Sequence, residues 1–169
     1  FVANTDVYGF TTSLLEACPD ARSRSVLVLG AGGAARAVML GLADAGVCEI
    51  AIHNRDAARA RLLAGDLGLT DVRVIESPVN RDAVSQASIL INATSLGWHA
   101  GETPLDAALL SALPATALVV DLTYRDTDLL LAARQRLTPG GRRLRPAGSS
   151  KLRVGHIVAC EANQAGPNI

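Results

Sequence analysis

The chain has 169 residues, 49% hydrophobic and only 3% aromatic, with sixteen Lys and Arg balancing sixteen Asp and Glu. That length and composition describe one globular domain built on an aliphatic core and exclude a disordered chain. The balanced charge gives no reason to expect nucleic acid or an anionic membrane as partner, and no run approaches the roughly 20 apolar residues that a membrane helix needs.

In chain order, Phe1-Val2-Ala3-Asn4 carries neither a basic leader nor an initiating Met, so further residues are expected to precede it in the natural protein. Thr12 to Cys18 predicts a short helix that Pro19-Asp20 breaks. Val26 to Leu29 is an apolar run suited to a strand covered on both faces. Gly30-Ala31-Gly32-Gly33-Ala34-Ala35 follows as a glycine turn opening a helix, with Ala35 as the small third position. A strand, such a turn and a helix together form a dinucleotide-binding unit, in which backbone amides approach a pyrophosphate. The bland alternative is a tight strand-to-helix turn with no ligand. Ala35, Val38, Met39, Leu42 and Ala45 have helical spacing and Gly46 is a natural stop. Gly41 inside that helix costs about 1 kcal/mol relative to Ala, which close approach to a neighbouring backbone would explain.

Val47 to His53 predicts the second strand. Asn54-Arg55-Asp56 opens the next helix, with Asp56 as N-cap and Leu62, Leu63 and Leu67 as its apolar stripe, ended by Gly68. Asp71 to Glu76 reads as a third strand, Pro78 to Ala87 as a loop with a short helix, and Ser88 to Asn92 as a fourth strand. The polar end of that strand, Asn92-Ala93-Thr94-Ser95, lies where a parallel strand delivers side chains to a ligand. A glycine-bearing loop, Leu96 to Pro104, and a helical piece, Leu105 to Leu113, lead to a fifth strand over Thr116 to Leu122. Asp128 to Leu137 is helical, the segment around Arg142 to Ser150 has no periodicity, and Leu152 to Cys160 reads as strand or helix. The repeated strand, crossover and strand order predicts an α/β fold, Rossmann-like and three-layered, with a mainly parallel twisted sheet. Cys18, Cys48 and Cys160 lack the spacing of a metal site or the density of a disulfide scaffold and read as small hydrophobes in a reducing, cytoplasmic setting. His53, His99 and His156 are scattered, so neither a metal site nor a catalytic triad is expected.

Over roughly residues 1–133 the chain resembles the shikimate dehydrogenase family, including its quinate-using members. The resemblance rests on five segments in order: Asn4-Thr5-Asp6 with Gly9-Phe10, the Gly30 to Ala35 turn, Asn54-Arg55, Asn92-Ala93-Thr94-Ser95 with Gly97, and Asp121 to Tyr124. It implies an oxidoreductase that reduces 3-dehydroshikimate to shikimate with NADP as cofactor. It also implies an upstream substrate domain supplying a catalytic Lys, whereas Lys151 is the one Lys here. The expected division is 1–22 as the end of that substrate domain and its connecting helix, 23–145 as the dinucleotide-binding domain, and 146–169 as a divergent or partly disordered C-terminal segment.

By the same resemblance Asp6 is the catalytic carboxylate, and Asn4, Thr5, Asp6 and Tyr124 bind the small-molecule substrate. Read alone, Asp6 is an Asx-turn or cap residue, and a Tyr at a strand end is usually a packing residue. Gly30, Ala31, Gly32, Gly33, Ala34 and Ala35 take the pyrophosphate; Thr94, Ser95, Leu96 and Tyr124 border the nicotinamide ribose and ring. A binding unit for NAD has an acidic residue near the end of its second strand, whereas an Arg there suits the 2′-phosphate of NADP. Arg55 and Arg59, with Asn54, are therefore the expected phosphate clamp. Asp56, where the family commonly has Thr, is repulsive beside a phosphate unless it caps the helix or pairs with Arg59. Trp98 stands where the family often has Met. The chain alone is expected to bind cofactor better than it turns over substrate. Two other readings stay open: a non-catalytic nucleotide-binding or regulatory module, or a degraded paralogue that forms a homodimer, and a dehydrogenase for quinate or a related cyclic hydroxy acid.

Overall fold

The computed structural model describes residues 5–123, 126–136, 143–144 and 156–159. Seven strands, β1 (Ser25–Leu29), β2 (Glu49–His53), β3 (Arg73–Ile75), β4 (Ile89–Asn92), β5 (Leu118–Asp121), β6 (Arg143–Leu144) and β7 (His156–Ala159), form one sheet of order β3-β2-β1-β4-β5-β7-β6. The first five in that order run parallel, and β7 and β6 are antiparallel. The helices are α1 (Thr5–Ala17), α2 (Gly33–Asp44), α3 (Ala57–Asp66), α4 (Arg81–Ser85), α5 (Ala107–Leu110) and α6 (Asp128–Arg136), with a short 3-10 turn at Ala21–Ser23. This is the α/β, Rossmann-like fold with a mainly parallel sheet that the strand and crossover order predicts.

The alternation of side chains along buried strands divides the core into two layers. Val26, Val28, Ile50, Ile52, Ile89 and Ile91 face α1, α2 and α3, packing on Phe10, Leu14, Val38, Leu42 and Leu63. Leu27, Leu29, Ala51, Leu90 and Val119 face the other way, onto Val84 of α4, Leu110 of α5 and Leu129 and Leu130 of α6. Both faces are covered, so the strands carry no polar alternation for a sequence reader to see.

Several elements differ from their sequence reading. The first helix begins at Thr5 rather than Thr12, because Val7, Phe10 and Leu14 form a buried stripe that outweighs the cost of Gly9. Leu63 is buried and Leu67 packs against the core as expected, but Leu62 is 65% exposed, and Ala60 and Ala64 complete the buried stripe of α3. The short helix within Pro78 to Ala87 is α4, whose N-cap Asn80 accepts from the Ala83 amide at 2.9 Å. Of the stretch read as strand or helix near the C-terminus, His156–Ala159 is a strand, paired antiparallel with β5. The rest of the segment 146–169 expected to be divergent or partly disordered, Cys160 included, lies outside the described residues. Cys18 is buried, but Cys48 is exposed and is not a packing residue. Burial, together with a hydrogen bond to Asp20 in which the thiol is the donor at 3.1 Å, pushes Cys18 up to about 11.

Gly41 has a packing reason of another kind from the backbone approach expected. A methyl group there would lie 2.7 Å from the Phe10 ring and 2.8 Å from Thr11 Oγ1, so α1 rests directly on the α2 backbone. The Thr11 hydroxyl lies 2.9 Å from Val7 O and 3.3 Å from Gly41 O, joining the two helices at that point. Replacing Gly by Ala in a helix ordinarily stabilises by up to about 1 kcal/mol. Gly41→Ala should reverse that sign and cost about 1–3 kcal/mol through overpacking, read as a lower midpoint in urea unfolding. A raised midpoint would show that α1 is free to shift.

Candidate functional site

At the carboxyl ends of the parallel strands the chain leaves β1 and β4 in opposite directions. From β1 it turns into α2 on one face; from β4 it runs through a loop to α5 on the other. Neighbouring strands that part in this way leave a crevice, the usual ligand position in open α/β sheets. Its floor is set by contact between backbones. Gly30 has φ of +110°, and a Cβ on it would lie 2.8 Å from the carbonyl oxygen of Ala93 at the end of β4. Its amide donates to His53 O at 2.7 Å, and the Ala93 amide donates to Leu29 O at 2.8 Å. Above this floor Gly32 and Gly33 face open space, with nothing within 4 Å of an added Cβ. Gly32 is the N-cap of α2 and has no side chain to cap the first-turn amides, so a bound anion is their natural acceptor.

The other wall hangs on a buried polar network. Asn92 and Asp121, aligned in register on β4 and β5, are both fully buried. Asn92 Nδ2 donates to Asp121 Oδ2 and to Leu96 O, each at 3.1 Å. Asn92 Oδ1 accepts from the Thr94 amide and hydroxyl, and Thr94 Oγ1 accepts from the Leu96 amide at 3.0 Å. Asp121 further accepts from Thr123 N at 2.9 Å and from the hydroxyls of Thr123 and Thr127, each at 2.7 Å. The segment Thr94 to Gly97 is thereby held in one shape, and Asp128 fixes its far side by accepting from the Gly101 amide at 2.7 Å. Ser95 and Leu96 remain exposed on it, as does Trp98 at 53%.

At the end of β2 the corner Asn54 to Arg59 adjoins the glycine turn through the Gly30 to His53 hydrogen bond. Asp56 caps α3, its Oδ1 accepting from the Ala58 amide at 3.1 Å, and its Oδ2 lies 3.6 Å from Arg59 Nε. It both caps and pairs, the two arrangements under which a carboxylate is tolerable there. Asn54 Nδ2 donates to Asp56 O at 2.9 Å. Arg55 is exposed and makes no hydrogen bond or ion pair with the described residues. Two neighbouring arginines are engaged elsewhere, Arg36 with Asp66 at 2.8 Å and Arg61 with Glu76.

Helix α1 orients Asp6. Its last turn leads through Ala21–Ser23 to the start of β1, and Arg22 Nε donates to Ala45 O at the end of α2, so both helices finish at the amino edge of the sheet. Both therefore begin towards the carboxyl edge. At about 1.5 Å per residue, Asp6 lies roughly 7 Å beyond the Thr11 contact in that direction. Asp6 is exposed.

A parallel sheet of this order thus places together an uncapped glycine turn and, at the end of β2, a guanidinium without a partner among the described residues. The sequence model described as shikimate / quinate 5-dehydrogenase matches residues 13–124, more than half of the chain. The chain belongs to this family. Shikimate dehydrogenase (NADP(+)) from Paramagnetospirillum magneticum is 44% identical over 140 residues, which is 80% of this chain and 50% of that protein. The crystal structure of shikimate 5-dehydrogenase from Thermus thermophilus, in complex with NADP(H) and shikimate, is 35% identical with a TM-score of 0.64, over 79% of this chain and 48% of that one. Quinate dehydrogenase from Corynebacterium glutamicum, solved with NAD, is 33% identical with a TM-score of 0.68, over 79% of this chain and 49% of that one. The chain thus spans about half the length of the relatives it matches.

The structure brings the glycine turn, the Asn54 to Arg59 corner and the Thr94 to Leu96 loop to one edge of the sheet. Asn4 and Tyr124 lie outside the described residues, and Thr5 is described only as the first residue of α1. Asn92 departs from its sequence reading: its amide is spent inside the protein instead of reaching a ligand. Asp121 stabilises the turn after β5 through Thr123 and Thr127. What sequence reasoning missed is the pairing between them; the only signal was a polar residue closing each of two apolar strands. His99 is exposed, with its amide donating to Glu102 at 3.1 Å. Among the described residues no group of His, Cys, Asp or Glu is placed to hold a metal ion, and no helix is long and apolar enough to cross a membrane.

Asp121→Ala would leave buried donors on Asn92, Thr123 and Thr127 without their acceptor. The expected loss is about 2–4 kcal/mol of unfolding free energy in the ligand-free protein, with Asp121→Asn in between. Urea unfolding within about 0.5 kcal/mol of wild type would show that the network contributes little.

Proposed function

We propose that this chain is the cofactor-binding part of an NADP-dependent shikimate dehydrogenase, which as a complete protein reduces 3-dehydroshikimate to shikimate. The observation that carries the reading is Arg55, unpartnered among the described residues, beside an open glycine turn in a member of this family. The amides at the start of α2 hold the pyrophosphate, and the α2 dipole favours its charge. Arg55, with Arg59 and Asn54 beside it, faces the adenosine 2′-phosphate. The carboxylate of Asp56 at this corner is turned to the Ala58 amide and to Arg59. Thr94, Ser95 and Leu96, held from beneath by Asn92, border the nicotinamide ribose, and Tyr124 borders the ring and the substrate. NADPH bound in this way supplies a hydride to the substrate carbonyl.

The developing alkoxide then needs a proton. Asp6 at the start of α1, with Asn4 and Thr5, binds the substrate hydroxyls and positions that proton transfer together with a Lys from upstream sequence. The division proposed is 1–22 as the end of the substrate domain and connecting helix, 23–145 as the dinucleotide-binding domain and 146–169 as a divergent segment. The setting is cytoplasmic. Chemistry requires both parts, since hydride and proton donors must lie within reach of one carbonyl.

Titration of the chain with NADPH and NADH should show tighter binding of NADPH. Arg55→Ala should weaken NADPH by about tenfold or more while changing NADH by less than about twofold. Equal affinity for both cofactors in the wild type would sink the phosphate assignment. In the complete protein, Asp6→Asn should lower kcat by roughly 100-fold or more and leave the NADPH Kd unchanged; retained turnover would remove Asp6 from the chemistry.

A further inference from the structure

We infer that Asp56 sets cofactor selectivity by occupying the donors that a 2′-phosphate needs, so that discrimination at this corner is an internal competition and not a property of the arginines alone. The inference rests on the nucleotide reading given above. The donors at this corner are the guanidinium groups of Arg55 and Arg59, the first-turn amide of α3 at Ala58, and the Asn54 side-chain amide. The amide of Ala58 donates to Asp56 Oδ1 at 3.1 Å, and Arg59 Nε lies 3.6 Å from Asp56 Oδ2. Asn54 Nδ2 is directed at the Asp56 carbonyl at 2.9 Å. Arg55 alone is left without a partner among the described residues.

The carboxylate exceeds what the helix needs. Ser, Asn or Thr would cap α3 through the same hydrogen bond without a charge. Here the cap carries a full negative charge at the position where a second anion must arrive, and it draws Arg59 onto itself. The side chains of Asp56 and Arg59 are 55% and 72% exposed, so the pair is weak and a phosphate can displace it. NADPH therefore still binds, but part of its advantage over NADH goes into separating Arg59 from Asp56 and into repulsion by the carboxylate. The adenosine of NADH carries no phosphate at this point and leaves the pair undisturbed.

The test is a binding cycle on the chain with four proteins: wild type, Asp56→Ser, Arg59→Ala and the double variant. Kd values for NADPH and NADH are read from the fluorescence of the reduced nicotinamide, and thermal melts establish that Ser preserves the cap. Asp56→Ser should tighten NADPH about tenfold and change NADH by less than about twofold. Arg59→Ala by itself should weaken NADPH and leave NADH nearly unchanged, since it removes a guanidinium that binds the phosphate and leaves the Asp56 charge uncompensated, and the double variant should lose most of the gain. An unchanged NADPH to NADH ratio in Asp56→Ser overturns the inference. So does a gain that persists in full without Arg59, which would be simple charge repulsion, and so does a weakened NADH, which would make Asp56 a ribose ligand. If Arg55→Ala weakens NADPH while Asp56→Ser changes nothing, only this inference fails. If Arg55→Ala also leaves NADPH unchanged, the phosphate site itself is wrong.

Discussion

The candidate site depends on the approach of two backbones, Gly30 at the end of β1 and Ala93 at the end of β4. Parallel pairing brings the strand ends side by side, and with the Ala93 carbonyl 2.8 Å from where a Cβ would stand there is no room for a side chain. Because the chain then leaves to opposite faces of the sheet, the same contact becomes the floor of a crevice. The glycines of the turn accordingly have different causes. Gly30 is required by a neighbouring strand, whereas Gly32 and Gly33 keep open the space into which a ligand would come.

The wall of the crevice is rigid for a reason that lies below its surface. Asn92 and Asp121 close two strands that are otherwise apolar, and a polar group at such depth is tolerated only when its hydrogen bonds are complete. Here they are complete, and the donors and acceptors that complete them belong largely to the loops above. The cost of burying two polar side chains is thus offset by fixing Thr94 to Gly97 and the start of α6. The exposed Leu96 and Trp98 stand on a loop with a defined shape.

Charge at the Asn54 to Arg59 corner follows a different logic, because nothing there is buried. Its ion pair is exposed and individually weak, so its importance lies in where it puts the charges. Capping α3 with Asp56 joins a local folding requirement to the electrostatics of the site, and the same side chain that starts the helix restrains Arg59. Arg55, the residue before Asp56, is exposed and makes no ion pair with the described residues.

Local chemistry made much of this protein legible in its sequence. The parallel α/β order follows from five short apolar runs separated by helix-length crossovers. The glycine turn, the Asp56 cap and the ends of α2 and α3 at Gly46 and Gly68 follow from which residues suit those backbone positions. Other features were settled only in three dimensions, because they depend on partners distant in sequence. Helix α1 reaches back to Thr5 because α2 covers its stripe, and Gly41 is required because Phe10 lies on it. Asn92 turned inward because Asp121, 29 residues away, stands beside it in register. Which of Arg36, Arg55, Arg59 and Arg61 lacks an acidic partner among the described residues could not be read from residue types, since the four look alike until Asp66, Asp56 and Glu76 are in place. Periodicity and turn chemistry act within a few residues, whereas the pairing of side chains depends on how the finished layers bring remote segments together.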